Sequence, residues 1–443
     1  MQVTVEEKGA LERRIVVTIP AERISVEMNR RLEDLGKKSR IKGFRPGKAP
    51  ARVVRQRYGA SVKEEVVDEL MRIHYAEAIT QEKLSPVDLP RLIGGETGAG
   101  GDYTFTAEFE IFPEFELADE DSIRLLRPQV EITPDDVAVV IERLRQQRGE
   151  WKPVERPARQ GDQVIIDFEG TIDNEPFDGN AATGMAVTLG AGELIPGFEQ
   201  GLEGIRAAEK RTLDLEFPKD YHKPELAGRP VHFDITAQRV EERVLPELDD
   251  EFARSFGVTE GGLDTLREKV RENMAAELDE RVRSDLVKQI GEQLIAANPI
   301  AVPKALVEQE ITRQQRSTLR RLGIAPDAAQ TPQLPREPYQ EEAERRVRLG
   351  LILSRLIERR ALRPDPARVE SRIAELSAQS ENPQARARAM RGDKEAMRGI
   401  EAMILEDMVY DQLLEQATFE DQPQKFFDFM EPSAQQEEDA ANE

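Results

Sequence analysis

Apolar and polar positions alternate through MQVTVEEKG at the start of the chain and again through ERRIVVTIP, which predicts a pair of strands. The interval then lengthens. Ile24, Met28, Leu32 and Leu35 recur at helical spacing, as do Val62, Val66, Leu70, Ile73 and the run Ala76 to Ala78, so two amphipathic helices are expected. YTFTAEFEIF, from Tyr103 to Phe112, returns to clean alternation and reads as a strand. Together these segments predict a small α+β domain over residues 1–112.

The pattern changes twice more. Thr133-Pro134-Asp135-Asp136 supplies a capping hydroxyl, a proline for the first helical position and two acids for the first turn, and Val137, Val140, Ile141 and Leu144 continue as a helix that should end near Gly149. Trp151 to Pro157 reads as a linker. From Gly161 to about Val240 the chain is rich in glycine, β-branched residues and turn signals, which predicts a second domain built on a sheet. From Leu248 to about Phe419 the spacing is helical almost throughout, with breaks at Asn298-Pro299, Ala325-Pro326, Thr331 to Pro338, Pro364 to Pro366 and Asn382-Pro383. Leu266, Val270, Met274, Leu278, Val282, Leu286, Ile290 and Leu294 recur every fourth residue. Each such step overshoots a helical turn by about 40°, so the stripe winds around its helix and should meet different neighbours at its two ends.

Composition narrows the chemistry. The chain has no cysteine and three scattered histidines, His74, His222 and His232, which removes disulfides and thiolate metal sites and argues against a metal or triad enzyme. No stretch of about 20 apolar residues suggests a membrane span, and the N-terminus lacks the apolar core of a signal peptide, so a soluble cytoplasmic protein is expected. The formal net charge is −23, yet Gly36 to Arg57 carries nine Lys or Arg and no acid. In the middle of this island, Gly43-Phe44-Arg45-Pro46-Gly47-Lys48-Ala49-Pro50 has two glycines and two prolines that break a helix and should expose a loop with one aromatic among cations. A solvated charge run is the plain reading. The concentration of cations in an acidic chain, with Phe44 among them, points instead to docking on an acidic partner.

Val164 to Gly170 (VIIDFEG), Phe177-Asp178-Gly179, Leu189-Gly190, Leu194 to Leu202 (LIPGFEQGL), Phe217-Pro218, Tyr221 and Val231 to Ile235 (VHFDI) follow one another in an order that resembles the FKBP family of peptidyl-prolyl isomerases. The resemblance implies that Phe168, Phe177, Asp178, Met185, Leu194, Ile195, Phe198, Tyr221 and Phe233 line a proline site. The family usually has an aromatic where Met185 falls and often Trp where Phe198 falls, departures that bear on rate. Asp178 reads either as a turn residue before Gly179 or as the polar group that orients the substrate amide; we take the second. His222 could be an acid or base, but bond rotation needs no proton transfer. His232 should point away from Phe233 by strand alternation, toward the surface.

The whole chain, taken in order, resembles the trigger factor family of ribosome-associated bacterial chaperones. The implied architecture is multidomain α+β: a small α+β ribosome-binding domain (1–112), a linker helix (113–149) packing with the C-terminal domain, an FKBP-like antiparallel β domain (150–246), a mostly α-helical chaperone domain with arms (247–430), and an acidic disordered tail (431–443). The family's ribosome-binding signature falls on Gly43, Phe44, Arg45, Gly47 and Pro50, with Lys42 and Lys48 beside it; Pro46 replaces a residue that is often basic. The implied partners are ribosomal protein and rRNA near the exit tunnel and nascent or unfolded polypeptides, with a homodimer off the ribosome, no cofactor, no metal and no membrane. Two other readings compete: a free cytosolic prolyl isomerase whose helical part dimerises or binds clients, and a nucleic-acid module. The second lacks an aromatic platform beside the cations.

Overall fold

The computed structural model describes residues 2–38, 44, 48–98, 100–118, 123–173, 175–177, 179–221, 223–325, 332–378 and 380–431. The opening alternation forms β1 (Gln2–Glu7) and β2 (Glu12–Ile19), antiparallel, with Val3 opposite Val17 and Val5 opposite Ile15. The helical spacings form α1 (Ala21–Lys38) and α2 (Ala51–Gln81). β3 (Arg91–Thr97) and β4 (Tyr103–Glu110) complete a sheet in the order β1-β2-β4-β3. Ile15, Val17 and Ile19 of β2 and Phe105 and Ala107 of β4 are buried at alternate positions, in one core with Leu32 and Val66 of the helices. One face of the sheet therefore carries the helices, as the period-2 pattern requires.

β5 (Arg124–Glu131) precedes α3 (Pro134–Gln147), so the segment expected as a linker helix also contributes a strand. The helix begins as its sequence dictates. Thr133 Oγ1 accepts from the Asp136 N–H, and the Asp136 carboxylate accepts from the Thr133 N–H at 2.9 Å, a reciprocal cap.

Trp151 to Val154 is not a linker. It belongs to β6 (Glu150–Val154), the edge of a five-stranded antiparallel sheet with β7 (Gln163–Thr171), β8 (Ala181–Thr188), β9 (Lys210–Glu216) and β10 (Pro230–Val244), in the order β6-β10-β7-β8 with β9 also on β10. Trp151 lies opposite Arg243, whose guanidinium sits 5.5 Å from the indole centroid. This cation–π pairing explains why a stretch without β-alternation becomes a strand. The short helix α4 (Phe198–Leu202) lies between β8 and β9. Buried Asp162, just before β7, accepts from Arg156 at 2.5 and 2.9 Å and from the Arg159 N–H at 2.8 Å. Burial pushes its pKa up, but these donors outweigh it and hold the carboxyl below the ordinary range. A depressed folded pKa gives stability that is present above the unfolded value of about 3.9 and is lost as pH falls through the folded one. Asp162→Asn should therefore lower the unfolding midpoint of this domain by about 5 °C at neutral pH and lessen its acid sensitivity. Scanning calorimetry from pH 3 to 7 checks both.

The helical part comprises α5 (Asp250–Ser255), α6 (Gly262–Ala297), α7 (Lys304–Arg321), α8 (Glu337–Arg359), α9 (Pro366–Ala378), α10 (Pro383–Gly392) and α11 (Lys394–Gln416), followed by β11 (Thr418–Lys425), which pairs with β5, and α12 (Phe426–Met430). On the 36-residue α6 the first half of the winding stripe is packed into one core. Leu266, Val270 and Met274 pack with Val137 and Ile141 of α3, Phe252 of α5 and Phe426 of α12. Near its other end, Gln289 and Gln293 accept from the backbone N–H groups of Leu126 and Arg124 at 2.9 and 3.2 Å and donate to the carbonyls of the same residues at 2.8 and 2.6 Å. The chain forms two compact units, residues 1–127 with 284–420, and residues 128–283 with the chain from 421 onward. The expectation of an α+β N-terminal region, an antiparallel sheet in the middle and a mostly helical C-terminal part holds. The acidic tail beyond Glu431 lies outside the described residues.

Candidate functional site

Strand alternation sends Phe168 of β7 and Phe233 of β10 to the same face of the middle sheet, and α4 sets Phe198 against both. The three rings meet edge to face: Phe198 and Phe233 at 5.2 Å between centroids, Phe168 and Phe233 at 5.7 Å, Phe168 and Phe198 at 6.1 Å. A second aromatic group closes the side, with Phe177 against Phe217 at 5.9 Å and Phe217 against Tyr221 at 4.8 Å. Met185, Leu194 and Ile195 complete a cup of about 130 Å³. Two glycines permit this packing. A Cβ on Gly170 would stand 2.7 Å from the Phe233 ring, and Gly197, at φ +90°, starts α4 in a conformation that side chains rarely adopt.

Eight of the residues expected at the proline site thus line one cavity: Phe168, Phe177, Met185, Leu194, Ile195, Phe198, Tyr221 and Phe233. Asp178 and His222 lie outside the described residues. Phe217 and Gly179 also line the cup. Phe217 carried the family motif as part of Phe-Pro, but it lies one residue past the end of β9 and is buried, and nothing in the sequence marked it as facing a cavity. His232 is at the surface, as alternation required, with Nδ1 2.6 Å from Asp214. Hydrogen bonding to Asp214 raises its pKa, and nothing connects it to the cup. Among the described lining residues, the Tyr221 hydroxyl is the only polar side-chain group. The cup can hold a small apolar ring, and its described lining residues include no acid, imidazole, amine or thiol with which to break a bond.

At the basic island, α1 ends with Lys37 and Lys38, and Pro50 immediately precedes α2. Phe44 is 40% exposed, a large apolar ring in water. Lys48 is exposed too, whereas Lys42, Gly43, Arg45, Pro46 and Gly47 lie outside the described residues. The first turn of α2 has no acid and carries Arg52, and Arg55 follows one turn on. A helix N-terminus already holds a partial positive charge, so cations there reduce helix stability. The fold accepts that cost at the start of α2.

Residues 1–144 match the family described as bacterial trigger factor protein, 154–238 the FKBP-type peptidyl-prolyl cis-trans isomerase family, and 262–415 the bacterial trigger factor C-terminus. The chain is 41% identical to the trigger factor of Thioalkalivibrio sulfidiphilus, covering 98% of each protein, and 41% identical to that of Halorhodospira halophila, covering 97% of this chain and 98% of the relative. A solved trigger factor chaperone structure superposes with a TM-score of 0.48 at 20% identity, over 94% of this chain and 99% of the other.

Proposed function

Because the chain belongs to the trigger factor family, we propose that it is a cytoplasmic chaperone that docks beside the ribosomal exit tunnel through residues 42–50, receives emerging chains, and isomerises their X-Pro bonds in the aromatic cup. The observation that carries the isomerase reading is the convergence of Phe168, Phe177, Phe198, Phe217, Tyr221 and Phe233 on one small cavity. Rotation about an X-Pro bond breaks amide resonance against a barrier of roughly 18–20 kcal/mol. The twisted amide is less polar than either planar form, so an apolar cup favours it over both ground states. Each 1.36 kcal/mol or so of such preference gives about tenfold in rate, and no nucleophile or metal is required. The test is refolding of a client whose slow step is a trans-to-cis proline. Micromolar protein should accelerate it, and an unchanged rate would refute the isomerase reading.

Chaperone action should reside outside the cup. The middle domain leaves the chain and returns to it at one place: the Gly149 Cα lies against Arg243 and Leu245, and Arg145 Nε donates to the Pro246 carbonyl at 2.7 Å. Excision of residues 150–246 therefore leaves two ends that a short link can join. The remaining protein should still suppress aggregation of a denatured client, by light scattering, to within about twofold of the parent. Protection by the isolated middle domain equal to that of the full chain would reverse this division of labour.

A further inference from the structure

One carboxylate near the cup has no part in the reading above. Glu199 follows Phe198 on α4 and is only 8% exposed. Its Oε2 accepts from the N–H groups of Gly190 at 2.9 Å and Gly192 at 3.1 Å, and its Oε1 accepts from that of Glu193 at 3.0 Å. The Leu194 N–H also donates to it. Gly190 and Gly192 have φ of +92° and +71°, left-handed values that turn successive N–H groups inward. Such a run of amides is an anion-binding concavity. Here the anion is the protein's own side chain. Burial would raise the pKa of Glu199, but these backbone donors prevail and hold it below the ordinary range.

The connectivity gives this arrangement a purpose. The loop that Glu199 gathers ends in Leu194 and Ile195, one wall of the cup, while the residue before Glu199 is the cup's Phe198. Wall and floor are joined at their near ends by Pro196-Gly197 and by the Phe198 N–H, which donates to the Ile195 carbonyl at 3.1 Å, and the carboxylate adds a second tie from the floor helix back to the 190–194 backbone. We propose that Glu199 is a positioning residue of the isomerase site, fixing the Leu194–Ile195 wall against Phe198 through its grip on the 190–194 backbone. This rests on the cup being the isomerase site. A glutamine cannot replace it, because the amide NH₂ would face a backbone N–H where the carboxylate presents an acceptor.

The experiment compares the full-length protein with Glu199→Gln and Gly192→Ala on proline peptides that differ in the residue before proline, across pH 2.5 to 8 so that the window reaches below the ordinary carboxylate range. Gly192→Ala strains the same loop from its other side and leaves the carboxylate in place. Both variants should lose about tenfold in kcat/KM, unequally across the peptides, while aggregation suppression stays at the parental level. The parent's kcat/KM should fall at the acid end as Glu199 protonates, and this limb should be missing from Glu199→Gln. Backbone amide resonances of Gly190, Gly192 and Glu193 should titrate together in the parent. If Glu199→Gln is too unstable to assay, Gly192→Ala and the parental titration decide. Parental kcat/KM and peptide preference in a folded Glu199→Gln, or in Gly192→Ala where only that variant can be assayed, would overturn the proposal, as would independent titration of the three amides. An inactive parent would sink the isomerase reading itself, and the amide titration would still report on the loop.

Discussion

Phe198→Ala and Phe233→Ala should each lower prolyl isomerisation by about a hundredfold, or roughly 2.7 kcal/mol of lost preference for the twisted amide. The two rings are the closest edge-to-face pair in the cup, and both also touch Phe168, so removing either opens the cavity and admits water. Both are also buried core residues. Truncating such a phenylalanine costs about 3–5 kcal/mol of stability, so the measurement needs a companion that separates catalysis from folding. Phe177 is half-buried at the side of the cup and meets Phe217 edge to face. Phe177→Leu keeps apolar bulk and should lose about tenfold in kcat/KM with a nearly unchanged melting temperature. Parental kcat/KM in a folded Phe198→Ala protein would show that the cup is not the site.

The second large effect concerns docking. With Phe44, Arg45 and Pro46 replaced together by alanine, co-sedimentation with ribosomes should fall to background while isomerase activity is unchanged, because cup and loop belong to different domains. Ribosomal surfaces present phosphates and carboxylates, so under the docking proposal the island's cations should supply long-range attraction and Phe44 a short-range apolar anchor. Binding should therefore weaken with salt. Phe44→Ala alone distinguishes an anchor from mere charge: a charge run loses nothing when Phe44 is removed, whereas an anchor loses about tenfold or more in affinity. Retention of the triple variant on ribosomes at parental levels would make the island a solvated charge run.

The regular elements were legible in sequence wherever one face is buried. β2 and β4 alternate because their other face meets water, and the Thr133 cap spells out its helix start. β3 was missed because RLIGGET has two glycines and is mostly exposed, so it carries no two-residue period. β6 was missed because its strand is specified by a partner, Arg243, some 90 residues away in sequence. The cup was legible only through the order of its motifs. Phe168, Phe198 and Phe233 are far apart in the chain, and no local pattern says that three phenylalanines share a cavity. Glu199 was invisible for another reason: its partners are backbone N–H groups, which every sequence has. The clue was the glycine pair at 190 and 192, whose positive φ values aim those groups inward.

The grip of α6 on β5 has a consequence for solubility. Four residues of helix rise about 6 Å and two residues of strand about 6.6 Å, so Gln289 and Gln293 stay in step with Arg124 and Leu126, each side-chain amide reproducing the donor and acceptor of a neighbouring strand. At those positions the helix serves as an extra strand that cannot be extended by another chain. An open strand margin is a template for foreign polypeptide, and a protein whose trade is unfolded polypeptide would meet such recruits constantly. Glutamines at a four-residue spacing seal this stretch of margin, so that a foreign strand finds no free N–H or carbonyl of Arg124 or Leu126 on that side to join.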